Sequence, residues 1–179
     1  MEYTETPVRH INTLKGVIVD VTTDMVKLTD GHLTLREVVH HPGGACVAAV
    51  DADGMITLVR QYRYPMGHML YEIPAGKLEG KEDPRLAARR ELKEETGLTA
   101  ANWQSLGCIY TSPGISTEKL YIYLATDLTA GQASPDPGEF LDVIKMPLSE
   151  LVEKVEAGEI HDAKTVVAAL RAARILQIR

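Results

Sequence analysis

Glu91, Glu94 and Glu95 stand three and four residues apart in the stretch "ARRELKEETGL", Ala88 to Leu98. On a helix, at about 100° per residue, that spacing gathers all three carboxylates within about a third of the circumference. Like charges so placed repel, each pair by about a few tenths of a kcal/mol. Glu94 and Glu95 also lie at the C-terminal end, where the helix dipole disfavours negative charge. Local physics opposes the arrangement, so its reason lies elsewhere. A merely solvated acidic face predicts compensating lysines four residues away; Lys93 points off that face, and only Arg90, four before Glu94, compensates. A hard divalent cation accounts for the cluster better. Mg²⁺ prefers carboxylate oxygens, keeps several waters and completes its shell with substrate phosphate. Ala87 and Ala88, interleaved with the glutamates, let another group approach closely.

These carboxylates need a helix to carry them and strands to seat it. Asp83 reads as the N-cap, Pro84 takes the first helical position where no donor is missed, and Gly97 closes the helix. Ahead of it, "ACVAAVDADGMITLVRQYRYP" reads as two strands joined by a turn at Asp51 to Gly54. After it come strand-like "SLGCIYT" and "KLYIYLATDL", the Pro-rich loop "ASPDPGEF", a short strand "LDVIKM", and helices over Leu148 to Glu156 and Ala163 to Leu176. Near the N-terminus, "GVIVDVTTD" and "HLTLREVVHH" are β-branched runs with a tight-turn signal at Asp30-Gly31. Strands, one helix, strands and then helices describe an α+β sandwich rather than a regular βαβ alternation. About forty residues of uncovered strand cannot bury much alone, which predicts an N-terminal β subdomain over 1–41 that pairs with a second chain, and a main domain over 42–179.

Composition narrows the function. The 179 residues suit one domain with a small extra subdomain, and a net charge of −6 argues against nucleic-acid or membrane-surface partners. Cys46 and Cys108 both sit in apolar strand-like runs, so both are expected buried and reduced. No signal pattern opens the chain and no apolar run approaches 18 residues, which predicts a soluble cytoplasmic protein. His40-His41 lacks a third nitrogen or sulfur ligand at metal spacing and reads as a strand-end pair.

The spacing around the glutamates goes further. Gly76 is followed after five residues by Glu82 and after seven more by "RELKEETGL". The stretch from Gly76 to Leu98 resembles the signature of the Nudix hydrolases, G-x5-E-x7-R-E-U-x-E-E-x-G-U with U bulky and apolar, and meets it at Gly76, Glu82, Arg90, Glu91, Leu92, Glu94, Glu95, Gly97 and Leu98. The resemblance implies an α/β/α sandwich with a mixed sheet, and metal-assisted hydrolysis of a nucleoside diphosphate linked to another group. It implies Mg²⁺, with Mn²⁺ as an alternative, held by Glu91, Glu95 and Glu94, with the Ala75 carbonyl just before the box joining the shell. Arg90 is expected to orient the glutamates; Glu82 has the milder alternative of a carboxylate favoured at a helix N-terminus.

Beyond the box, "REVVHHPGGACVAAV", "VRQYRYP", "YEIPAG" and "SPGISTE" resemble the ADP-ribose pyrophosphatase branch, with Pro113 fifteen residues after Leu98. That implies ADP-ribose as substrate; the homodimer is expected from the uncovered N-terminal strands. Arg63, at a strand end, is then a planar fork for phosphate oxygens, against the plain alternative of an exposed arginine. Arg36 is a second candidate that could reach a partner subunit's site. Leu78 joins the substrate contacts on the resemblance alone. Ser112, Pro113 and Gly114 form a tight loop able to approach substrate or simply to turn. Glu118 can accept hydrogen bonds from ribose hydroxyls or stand as a strand-edge carboxylate. Metal-bound glutamates are poorly free to take a proton, and the family's loop glutamate, matched here by Glu139, is expected as catalytic base or additional ligand; its alternative is a solvated loop acid. A nucleotide sensor without turnover would typically lose part of the glutamate set and carry a basic DNA-binding segment, and neither feature is present.

Overall fold

The computed structural model describes residues 3–178. Two compact units emerge: the chain up to Gly43 together with Tyr110–Lys119, and Gly44–Ile109 together with the chain from Leu120 onward.

The first unit is an antiparallel sheet of β1 (Thr6–Lys15), β2 (Asp20–Lys27) and β3 (Leu33–His40), with β2 in the middle. The hairpin between β2 and β3 turns at Asp30-Gly31, where Gly31 takes φ 90° and its N–H donates to the Leu28 carbonyl at 3.0 Å. β1 has no counterpart in the sequence reading. "TPVRHINTLK" is exposed along nearly its whole length, so no burial imprints an alternating pattern on it. The 110–119 segment joins this unit through its backbone: Val39 N–H donates to Ile115 O at 2.7 Å, and Thr117 N–H to Val39 O at 3.0 Å.

The second unit contains β4 (Gly44–Val50), β5 (Met55–Arg63), β6 (His68–Glu72), β7 (Ala75–Lys77), α1 (Pro84–Thr96), β8 (Thr99–Tyr110), β9 (Lys119–Thr129), β10 (Leu141–Pro147), α2 (Leu148–Glu156) and α3 (Ala163–Leu176). Its sheet runs β10-β5-β4-β9-β8, with β6 beside β5 and β7 beside β4. β4 pairs parallel with β9 and antiparallel with β5 and β7, so the sheet is mixed. The period-two alternation of β4 sorts the layers. Cys46, Ala48 and Val50 join the core that includes Leu148 and Leu151 of α2 and Ala168, Ala169, Ala172 and Ala173 of α3. Ala45, Val47 and Ala49 meet Ala87, Ala88 and Leu92 of α1 on the other face. This is the α/β/α sandwich expected, with β4 buried along its full length.

One expectation fails. Cys46 is buried, and burial pushes its thiol up to about 12, but Cys108 is exposed. Leu106, two residues earlier, is buried, but Gly107 between them takes φ 90°, outside the extended region, so the period-two alternation that would put Cys108 on the face of Leu106 is broken.

Candidate functional site

α1 is fixed at both ends by its own sequence. Asp83 Oδ1 accepts from the N–H groups of Arg85 (2.9 Å) and Leu86 (3.2 Å), and Pro84 follows at the first helical position. Gly97 closes the helix at φ 73°, its N–H donating to Lys93 O at 2.9 Å. A side chain there would be strained, and a Cβ would also lie 2.7 Å from Gly131 O and Ala133 N. The loop leading to Glu139 therefore packs against the end of α1, where Ser134 N–H donates to Glu94 O at 2.9 Å.

Alanines set how close α1 comes to the sheet, and that closeness brings its carboxylates onto the β7 backbone. Glu95 is 3% exposed and accepts the Ala75 N–H through Oε2 at 3.0 Å. At Gly76 a Cβ would fall 1.8 Å from Glu91 Oε1, so only glycine leaves that carboxylate its place. Arg90 ties the group together. Its Nη1 donates to Glu91 Oε1 at 2.7 Å and Glu94 Oε2 at 3.0 Å, its Nε and Nη2 to Glu82 at 3.2 and 3.0 Å, and Nη2 also to the Lys77 carbonyl at 3.3 Å. One guanidinium thus orients three carboxylates and the β7 backbone. The hydrogen bonds to Glu82, then those to Glu91 and Glu94, hold Arg90 well above its ordinary pKa.

The electrostatics are those of crowded, buried acids. Burial pushes the Glu95 carboxyl up to about 8; the Ala75 N–H opposes this, while the charges of Glu91 and Glu139 add to it. Glu91 is raised too, by burial first and by Glu94 and Glu139, against the pull of Arg90. Glu139 thus lies within electrostatic reach of both glutamates, while its own Oε2 accepts the Asp136 N–H at 3.2 Å. Among the described residues, no group of three or more His, Cys, Asp or Glu side chains is placed to hold a metal ion. The donor set nevertheless suits a hard cation: it is all oxygen, and Glu91 and Glu95 carry an ionisation cost that a divalent charge would reverse.

Arg63 has a partner the sequence did not reveal. Its Nε and Nη2 donate to Glu72 Oε1 and Oε2, both at 2.6 Å. Glu72 is fully buried and also receives Lys164 Nζ. Lys164 donates to Asp162 Oδ1 at 2.9 Å, and Thr165 Oγ1 to Asp162 Oδ2 at 2.5 Å. Burial alone would raise the Glu72 carboxyl; the Arg63 hydrogen bonds and the Lys164 charge bring it below the ordinary range. Only the Asp162 cap of α3, at the head of a helical pattern, could have been read from sequence; a buried lysine paired across ninety-two positions leaves no local mark.

Leu78 packs against the α1-side core. Arg36, Ser112, Pro113, Gly114 and Glu118 belong to the first unit and the glutamate cluster to the second. Arg36 forms a two-pronged pair with Glu5, at 2.9 and 2.6 Å. The 112–116 turn closes through Ile115 and Ser116 N–H groups on Ser112 O, at 3.0 and 2.8 Å. Glu118 Oε2 accepts from Thr111 Oγ1 at 2.5 Å, and His41 Nδ1 lies 3.5 Å from Oε1.

Comparison with known proteins defines the class. The family model described as "NUDIX domain" matches residues 39–170. An ADP-ribose pyrophosphatase of Bacillus subtilis (strain 168) is 40% identical over 86% of this chain and 84% of its own length. A methanol dehydrogenase activator of Bacillus methanolicus is 41% identical, also over 86% of this chain and 84% of its own. Among solved structures, one described as an ADP compounds hydrolase superposes with a TM-score of 0.81 at 23% identity, over 96% of this chain and 95% of that one. The chain belongs to the Nudix family.

Proposed function

We propose that this protein hydrolyses the pyrophosphate bond of ADP-ribose, releasing AMP and ribose 5-phosphate, with Mg²⁺ as cofactor. The observation that carries the proposal is the buried Glu95, hydrogen-bonded to the Ala75 N–H beside Glu91 and the Arg90-held Glu94. Glu91, Glu94, Glu95 and the Ala75 carbonyl would hold the cation, with Mn²⁺ as an alternative. When bound, the metal neutralises diphosphate charge and acidifies water. The chain's own residues do the rest. Arg90 and Gly76 keep the carboxylates in place, and Arg63 offers its unpaired N–H groups to phosphate oxygens. Glu139, in a loop held at the end of α1, is the proposed base. Glu139→Gln is expected to lose most of kcat with little change in KM; an equal rise in KM would remove the base role.

ADP-ribose is favoured by the relative named for it, and Glu118 remains a proposed acceptor of ribose hydroxyls. Ser112, Pro113, Gly114 and Leu78 remain proposed substrate contacts, and Arg36 a proposed contact of the dimeric form. Exposed Val8, Leu14, Leu33 and Leu35 on the first unit support a homodimer over 1–41, tested by light scattering after gel filtration. No described helix is long and apolar enough to cross a membrane; a cytoplasmic location is part of the proposal. A second reading, the same cleavage of another nucleoside diphosphate derivative, follows from the same assignment: the glutamates and Arg63 would address the diphosphate, not the sugar. Steady-state rates with ADP-ribose, GDP-mannose, ADP-glucose and a dinucleoside polyphosphate decide between them. The proposal expects the highest kcat/KM for ADP-ribose, and a hundredfold preference for another compound would overturn the substrate while leaving the chemistry.

A further inference from the structure

Four consecutive residues at the entry to the glutamate cluster are each held by a different group. The Glu72 carboxylate receives Arg63 and Lys164. Ile73 N–H donates to Thr165 Oγ1 at 2.9 Å. Pro74 O accepts from Val47 N–H at 2.9 Å, and Ala75 N–H donates to Glu95 Oε2 at 3.0 Å. Two of these anchors, Lys164 and Thr165, come from the first turn of α3. Asp162 holds both: one oxygen takes Lys164, the other caps the helix through Thr165 N–H at 3.0 Å and its hydroxyl.

Lys164 is 9% exposed, and a buried ammonium is costly unless fully paired. Where only stability matters, replacing the paired charges together by apolar side chains of similar volume serves as well or better. The lysine therefore calls for a second reason, and its partner supplies one. A carboxylate whose Oε2 takes Lys164 as well as Arg63 Nη2 cannot swing with the guanidinium. Arg63 spends one N–H of Nε and one of Nη2 on Glu72, and a guanidinium carries five N–H donors. Its charge and remaining donors stay available at one orientation.

We propose that Lys164 is a positioning residue for substrate binding: by locking Glu72 against the α3 N-terminus, it fixes the Arg63 guanidinium so that its free N–H groups meet the diphosphate. This rests on the reading of Arg63 as the phosphate fork.

The test compares wild type, Lys164→Met, Arg63→Ala and the double variant. The dissociation constant for ADP is measured by calorimetry in EDTA, and KM and kcat for ADP-ribose in Mg²⁺. Lys164→Met is expected to weaken ADP binding about tenfold, raise KM in step and spare kcat, and to cost nothing further in the Arg63→Ala background. An equal loss in both backgrounds would mean a general charge effect and overturns the proposal. So does a fall in melting temperature or kcat with unchanged ADP affinity, or an Arg63→Ala protein that binds ADP like wild type. A wild type that ignores ADP-ribose refutes the proposed substrate, while the ADP titrations still decide on Lys164. Should Lys164→Met not fold, Glu72→Gln, which keeps the shape and removes the charge, carries the same expectations.

Discussion

In the metal-free protein, Glu95→Gln is predicted to make the fold more stable at alkaline pH. Glu95 is 3% exposed, and its carboxyl, ordinarily at 4.5, is pushed up to about 8 by burial and by the neighbouring acids. The folded state thus holds the proton more tightly than the unfolded chain. Stability falls as pH rises from about 4.5 to about 8 and is flat above that window. At about 1.4 kcal/mol per pH unit, the full loss is about 5 kcal/mol at most. Glutamine still accepts the Ala75 N–H but brings an amide N–H₂ with no evident acceptor, a cost of about 1–3 kcal/mol. The net expectation is a variant about 2–4 kcal/mol more stable than wild type at pH 9, with the order reversed near pH 4.5. Glu91 is shifted the same way, so the variant keeps a shallower slope rather than none. Urea denaturation in EDTA from pH 5 to pH 9 gives the free energies directly. Millimolar Mg²⁺ should then raise the wild-type midpoint and leave the variant's nearly unmoved. A pH-independent wild type, or a variant less stable at pH 9, would rule out a Glu95 whose ionisation opposes folding.

Other consequences are as direct. Gly76→Ala puts a Cβ on the Glu91 carboxylate rather than on backbone, so the melting temperature should change by only a few degrees while kcat/KM falls about a hundredfold; loss of the fold would show that Gly76 serves the backbone instead. Arg90→Ala strips Glu82, Glu91 and Glu94 of their shared partner and should cost about 2–3 kcal/mol in urea denaturation without metal, whereas an unchanged midpoint would dismiss the clamp. Ellman's reagent should titrate one thiol in the native protein, Cys108, and both in denaturant, since the buried Cys46 thiol resists ionisation.

What the sequence disclosed was whatever is written locally. α1 announced itself through Asp83, Pro84 and Gly97, each acting within one turn of its own position, and the helices at Leu148–Glu156 and Ala163–Leu176 fall where the apolar spacing put them. The carboxylate cluster was legible because repulsion on one helix face is a local anomaly. What stayed hidden depends on distant partners. β1 is too exposed to carry a pattern, and the 110–119 segment joins the first unit through backbone bonds that any residue could make. Arg63 could be read as a phosphate fork or an exposed arginine, but not as half of a pair with Glu72. The same carboxylate also takes Lys164, brought in from a helix near the other end of the chain.

If the buried glutamates of α1 support metal-dependent cleavage of a diphosphate, turnover must need both the metal and Glu95. A single-turnover assay tests it most directly: excess enzyme, ADP-ribose, EDTA, then Mg²⁺ added, with products resolved by chromatography for wild type and Glu95→Gln. No AMP or ribose 5-phosphate is expected in EDTA, prompt release of both by wild type on adding Mg²⁺, and at least a hundredfold slower release by the variant. Equal rates for the two proteins, or turnover that persists in EDTA, would contradict that requirement.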